Sequence, residues 1–505
     1  MNWKTYLLSI ISGVLLFLSF PKFNFYYLVW VSIIPLLFAL RGKTLSEAFL
    51  AGFITGFVYN TGIIYWVTFV VVHYGYLPLS IGIFVMLLLS FYLSLYVGLF
   101  AFGVVFLNKR GIGAIVSAPL LWTIMEYGKS HLLTGFPWEN LAHSLHAQLP
   151  FIQIADITGI YGITFLIVFI NCLIFGLVTF KGRRAILTEV LVGVVLMGVV
   201  LGYGFYSISD IEKAALESDP VNVSLIQGNI DQSVKWDPQY QSKTLNLYRQ
   251  LSIEAAESEP RIIVWPETAA PFFFQDNSHE RNNILELAEQ TDSYLLFGSP
   301  SYERRKGKNY LKNSAYLLSP SKDILGRYDK VHLVPFGEYV PLREFLFFAE
   351  KLVAGAGDFI AGEGFKTLTM EEIKTGVLVC YEGIFPEIGR EYKNNGADLF
   401  INITNDAWYG RTSAPYQHLS MIAFRAIENR VPIVRAANTG ISAIIDPTGK
   451  IVAKTNIFER AVLNGKVRMI NSDTFYARYG DLFVYICIAF MIAIFSISLI
   501  RRVRK

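Results

Sequence analysis

Cysteine is scarce in this chain, with three in 505 residues. Two of them, Cys172 and Cys487, fall inside long apolar runs. No pair is left for a disulfide framework, which excludes the small bridge-stapled folds. Charge is scarce as well, but unevenly. Residues 1–207 carry 15 of the 84 Asp, Glu, Lys and Arg residues, residues 208–475 carry 63, and residues 476–505 carry 6. The formal net charge is +4, too small a surplus for the basic field of a nucleic-acid binder, so no such partner is expected. Also missing are an internal repeat of fixed period and a low-complexity linker. No small-residue cleavage site follows the first apolar stretch, which reads as a retained helix and not a removed signal peptide.

What is present in abundance is apolar surface, at 53% of residues. Stretches able to cross a hydrocarbon layer of roughly 30 Å are expected near residues 5–20, 24–40, 48–71, 79–107, 113–128, 158–180 and 185–206, with an eighth near 482–500. Basic clusters follow alternate stretches: Arg41 and Lys43; Lys109 and Arg110; Lys181, Arg183 and Arg184; and the Arg501 to Lys505 tail. By the positive-inside rule both termini are then cytoplasmic and the charged middle lies on the outer face. The expected organisation is a seven-helix membrane domain over 1–207, an extracytoplasmic α/β domain over 208–475, and a C-terminal transmembrane helix with a basic tail over 476–505.

In the middle domain the texture becomes that of an α/β protein. Runs at 221–229, 261–267, 293–300, 313–320, 376–382, 397–406, 432–438 and 442–452 are rich in aliphatic and β-branched residues and bounded by Gly, Pro, Asn and Asp, so they read as strands. Residues 241–258 and 415–430 carry helical patterns. Near-continuous apolar strands that alternate with helices imply sheets covered by helices.

"GVLVCYEG" (376–383) ends such a strand in Cys380, the one cysteine of this domain. An unpaired cysteine is either a small buried hydrophobe or a reactive thiol. A thiol attacks as thiolate and needs a base or a positive neighbour to form it. "IIVWPETAAP" offers Glu267 at a strand end, in an apolar setting that favours proton uptake, and "GRYDKVHLVPFGEYVP" (326–341) offers Lys330 and Glu338. Each of these is equally readable as a solvated or structural charge.

Together, Glu267, Lys330 and Cys380 stand in the order and local contexts of the Glu-Lys-Cys triad of the nitrilase, or carbon-nitrogen hydrolase, superfamily, which they resemble. The resemblance runs on through "NITNDAWYG" (402–410) and "RAIENRVPIVRAANTGISAIIDPTGKI" (425–451). With "GFITGFVYNTGIIYWV" (52–67) and "LLTGFPWENLAHS" (132–144) added, the whole chain resembles the apolipoprotein N-acyltransferase family. The resemblance implies a nitrilase-like αββα sandwich beside the membrane helices. It implies a phospholipid acyl donor and the amine of a diacylglyceryl apolipoprotein as acceptor, with no cofactor and no metal. It assigns Glu267 as base and Cys380 as nucleophile. Lys330 and the Tyr381 N–H become oxyanion donors, Glu338 and Glu382 support Lys330, and Trp236 contacts substrate.

Two acyl-carrying substrates require the site to face lipid. "LREFLFFAEKLVAGAGDF" (342–359), with Phe347 and Phe348, reads as an arm that dips into the bilayer interface, or else as a core helix. Trp138 in "GFPWEN" is a companion surface or an interfacial anchor. Glu126 and Lys129 are expected at the interface with water. His143 and His146 lie three apart with no thiol near them in sequence, and "GAGDFIAGEG" lacks a P-loop lysine, so neither is assigned a ligand. A membrane-tethered amidase would use the same triad with water in place of the amine. A transporter or receptor would have no need of the cysteine.

Overall fold

The computed structural model describes residues 1–179, 183–305, 307–340 and 359–503. The chain divides into two compact units: Met1–Thr68 with Leu79–Ile208 and Tyr479–Lys505, and Phe69–Pro78 with Ser209–Arg478.

The first unit is helical. Among the described residues, four helices are long and apolar enough to cross a membrane: Leu45–Ile64, Leu79–Asn108, Ala155–Thr179 and Thr188–Glu217. Leu45–Ile64 buries Ala48, Ala51, Gly52, Thr55 and Gly56 on one face. A Cβ at Gly52 would lie 2.4 Å from the Val97 carbonyl oxygen of Leu79–Asn108, so only a residue without one lets these two helices approach this closely. Two expectations fail here. The single span read at 24–40 is broken into a 3-10 turn, Tyr26–Trp30, and a short helix, Ile34–Ala39, because Pro35 has no N–H to continue a helix through it. Asn171 fills the break, accepting from Ile33 N and donating to Val29 O, both at 2.9 Å. Glu126 and Lys129 do not meet water at an interface, since both are buried. Glu126 accepts from Leu141 N and Thr164 Oγ1 at 2.7 Å and from Trp122 Nε1 at 3.1 Å, and Lys129 donates to Trp138 O at 3.2 Å. These partners are what make a carboxylate and an ammonium tolerable inside an apolar bundle.

The second unit holds two six-stranded sheets. Its strands are β1 Val221–Gln227, β2 Ile262–Val264, β3 Tyr294–Arg305, β4 Lys308–Leu318, β5 Ile324–Asp329, β6 Leu368–Met370, β7 Ile373–Val379, β8 Leu399–Thr404, β9 Ile433–Ala437, β10 Ala443–Ile445, β11 Ile451–Lys454 and β12 Ala461–Val467. The sheet orders are β12-β1-β2-β3-β4-β5 and β11-β10-β9-β8-β7-β6. Each has a parallel centre, β1-β2-β3 in one and β7-β8-β9 in the other. The sheets pack face to face through β1 with β9 and β4 with β7, and helices cover their outer sides. Helices Pro238–Ala256 and His279–Gln290 lie on the first sheet, where Leu245, Tyr248, Ile284 and Leu287 meet Ile226, Ile263, Trp265, Leu295 and Phe297. Ala414–Asn429 belongs to the second sheet's side and is almost wholly buried.

The strand read at 442–452 is in fact the hairpin β10–β11. Asp446 accepts from Thr448 N and Lys450 N and closes a turn through Pro447 and Gly449. Strands β5, β6 and β12, and the helices His279–Gln290 and Pro386–Asn394, were not expected from the sequence pattern.

Candidate active site

The parallel strands at the centre of each sheet run in one direction, so their carboxyl ends bring several loops to one edge of the sandwich. Glu267 follows β2 after Trp265 and Pro266, Lys330 follows β5 directly, and Cys380 follows β7 directly. All three are buried.

Glu267 is not enclosed by apolar groups alone. Its Oε1 accepts from Asn313 Nδ2 at 2.7 Å and its Oε2 from Asn405 N at 2.9 Å. Asn313 lies in β4 and uses the same amide nitrogen on Glu338 Oε1 at 3.0 Å. The other Glu338 oxygen takes Lys330 Nζ and Val334 N, each at 2.8 Å. One amide therefore ties the two carboxylates together, and the second carboxylate holds the lysine. Burial opposes the Lys330 charge, but Glu338, Cys380 and Glu267 outweigh it and its pKa is raised.

Cys380 has φ +54° in the left-handed region, which costs a non-glycine residue energy and is tolerated where the surroundings fix the turn. They do so here. Glu382, two residues on, accepts from Val379 N through one oxygen and from Val331 N, His332 N and Tyr328 Oη through the other, at 2.8–3.0 Å. It thereby joins the end of β7 to the residues after Lys330. Glu382 does not bond the lysine's ammonium; it braces the main chain that carries it. Its burial raises its pKa to about 7 despite Lys330 and these donors. The Cys380 carbonyl faces His418 Nε2 at 3.3 Å, and His418 Nδ1 lies 3.1 Å from Asp406 Oδ1. Arg435 pairs with Asp406 Oδ2 at 2.7 Å, and Asp406 is held down at about 2, with Arg435 and His418 overcoming its burial. The thiol itself is pushed up by burial and by the Glu267 carboxylate, against the pull of Lys330. At rest the sulfur keeps its proton, with a carboxylate within electrostatic reach to take it.

Tyr381 is buried beside Cys380, with its ring edge-on to Phe385 at 4.9 Å. Trp236 is half exposed in the loop that precedes helix Pro238–Ala256. Trp138, in the helical unit, is no interfacial anchor: it is buried with its ring stacked on Phe136 and tilted against Trp66. Phe347 and Phe348 lie outside the described residues.

Sequence reasoning missed Asn313, Asn405, His418, Arg435 and Lys235. Asn313 is the clearest case. A polar residue amid the apolar "NSAYLLSP" run carried a signal, because a buried strand does not spend an amide without a partner.

The region 12–173 matches the family model "Apolipoprotein N-acyltransferase N-terminal domain", and 222–471 matches "Carbon-nitrogen hydrolase", which takes in both sheets. A protein of Geobacter metallireducens named apolipoprotein N-acyltransferase is 47% identical over 491 residues, 96% of this chain and 94% of that one. Proteins of the same name from Pasteurella multocida and Haemophilus influenzae are each 31% identical, over 95% and 99% of this chain and 93% and 96% of theirs. Among solved structures, an amidase from Nesterenkonia sp. AN1 aligns at 21% identity with a TM-score of 0.39, over 52% of this chain and 98% of that one.

Proposed function

The chain belongs to the apolipoprotein N-acyltransferase family, and on that premise we propose that Cys380 carries the acyl group between a phospholipid and the α-amine of a diacylglyceryl-cysteine apolipoprotein. It is a membrane-embedded acyltransferase of lipoproteins, with a nitrilase-like catalytic domain. The observation that carries the mechanism is the convergence at one edge of the sandwich of a buried thiol, a carboxylate and a lysine whose charge is stabilised.

Glu267 takes the thiol proton as Sγ attacks the phospholipid ester carbonyl. Lys330 and the Tyr381 N–H stabilise the oxyanion, each donor being worth on the order of 3 kcal/mol in comparable sites. The C–O bond breaks, Glu267 returns the proton to the leaving alkoxide, and a lysophospholipid departs from the thioester. The neutral acceptor amine then attacks the thioester and gives its proton to Glu267. The C–S bond breaks, and the sulfur recovers the proton as the amide leaves. Glu338 keeps Lys330 charged and Glu382 keeps its main chain in register with Cys380. Trp236 meets substrate at the mouth.

The chain crosses the membrane eight times, the broken segment Tyr26–Ala39 counting as one crossing, with domain limits at 207/208 and 475/476. The alternation of Arg and Lys clusters supports cytoplasmic termini and an outward catalytic domain. The test uses proteoliposomes holding phospholipid labelled in its acyl chain. A hydroxylamine-labile label should appear on Cys380, persist in water, and move to an amide when a diacylglyceryl-cysteine peptide is added. Discharge at the same rate with and without the peptide would overturn transfer in favour of hydrolysis.

A further inference from the structure

Two adjacent residues of the loop after β1 point to opposite environments. Trp236 is 50% exposed, whereas Lys235 is 3% exposed. The loop is built to turn this way. Asp231 accepts from Ser233 N at 2.8 Å and from Val234 N at 3.3 Å, Asp237 caps the helix that Pro238 opens, and Gln232 accepts from Asn405 Nδ2 at 2.6 Å. Asn438, beyond β9, clamps Ile230 through both its N–H and its carbonyl. A buried ammonium is costly unless it serves a partner, and Lys235 Nζ donates to the main-chain oxygen of Glu267 at 3.0 Å.

The Glu267 carboxylate is held by neutral donors, the Asn313 amide and the Asn405 N–H. Lys330 is committed to Glu338. Lys235 is therefore a second buried cation, beside Lys330, within electrostatic reach of Glu267 and Cys380.

We infer that Lys235 is a positioning residue of the acyl-transfer reaction: it fixes the peptide of the base Glu267 and supplies the charge that lets the Cys380 thiolate form in a buried site. Burial draws the lysine's pKa down and Glu267 and Cys380 oppose it, leaving it at about 8, above neutral pH. This inference rests on Cys380 being the nucleophile.

The groups that act on the sulfur are Glu267, Lys330, Lys235, Asp406 and Thr404, with Tyr409 nearby, the His418 ring on the Cys380 carbonyl, and Arg435 against Asp406. Glu338 and Glu382 act on the sulfur through Lys330. Removing Lys235 leaves this set one positive charge short.

The experiment follows alkylation of Cys380 by iodoacetamide as a function of pH in the full-length protein in detergent, with the modified residue located by mass spectrometry. Three variants are compared with the native enzyme: Lys235→Met, Lys235→Gln, which keeps an N–H for the Glu267 carbonyl but no charge, and Lys235→Arg. A nearby opposite charge moves a titration by about 1 to 3 pH units. The Met and Gln variants should therefore shift the alkylation midpoint upward by that much and lose about tenfold or more in rate at pH 7.5, while the Arg variant keeps the native midpoint. A native midpoint in a folded Lys235→Gln protein overturns the inference, even if acylation is slow. If Lys235→Met does not fold, the Gln and Arg pair still decides the matter. Failure of the parent reading is separate: a native enzyme that forms no thioester on Cys380 refutes the nucleophile whatever the lysine variants do.

Discussion

Asn313→Ala removes a single amide, yet that amide serves two carboxylates, at 2.7 Å to Glu267 and 3.0 Å to Glu338. Hydrogen bonds to charged groups contribute about 1.5–3 kcal/mol each. The two share one nitrogen and are not independent, so about 3 kcal/mol is a reasonable joint figure, and part of it is the orientation of Glu267 toward the thiol. At 1.36 kcal/mol per tenfold, acylation should slow about 100-fold. Thermal unfolding of a chain with two units is a poor gauge of that loss. The appropriate assay is a single turnover with labelled phospholipid, quenched in acid and scored as hydroxylamine-labile label on Cys380. Asn313→Asp separates geometry from charge. The new carboxyl sits between two carboxylates, so its pKa is driven up. Acylation should be slower than in the Ala variant at pH 8 and recover as the pH falls toward 6, where the acid regains a proton to donate. A rate within threefold of native for Asn313→Ala would refute the claim that the amide bridge sets the base.

Cys380→Ser should fold and bind phospholipid but form no acyl-enzyme, because a serine hydroxyl is far too weak an acid for Glu267; turnover in that variant, measured with the lipopeptide acceptor, would remove the thioester from the mechanism. Glu267→Gln should abolish thioester formation through loss of the base, and Lys330→Ala should do so through loss of the oxyanion donor; thioester accumulating from labelled phospholipid at the native rate in either variant would contradict its assigned role. Glu382 has its folded pKa raised from 4.5 to about 7, so the stability it contributes is complete below about 4.5 and is lost as the pH rises through 7. Glu382→Gln should flatten the decline in resistance of the catalytic unit to proteolysis between pH 5 and 8, and an unchanged slope would assign that decline to other groups.

Glu267 and Cys380 could be read from the sequence because each follows a strand recognisable by its aliphatic and β-branched run, and strand ends are where parallel sheets expose chemistry; Lys330 follows β5, which has no such run, and stood out only through the family resemblance of "GRYDKVHLVPFGEYVP". Strands that lack such a run escaped notice: β5 is "ILGRYD", half polar, β6 has three residues, and β12 carries an Asn-Gly pair in its middle. The hairpin at 443–454 read as one strand because its apolar residues continue on both sides of Pro447 and Gly449. Lys235 is silent in sequence for a different reason. Whether a lysine is solvated or enclosed depends on residues far along the chain, such as Asn405 and Asn438, that close the loop over it. Trp138 illustrates the converse, as a tryptophan in a loop reads as an anchor until Trp66 and Phe136 are seen to cover it.

The resting thiol at Cys380 has a consequence for durability. Peroxide and disulfide reagents react with the sulfur anion and hardly with its protonated form. A cysteine that is 7% exposed, and whose thiol keeps its proton through burial and a neighbouring carboxylate, offers them little access and little charge. The proposed nucleophile is therefore shielded while it rests, and burial takes the place of a partner thiol in protecting it.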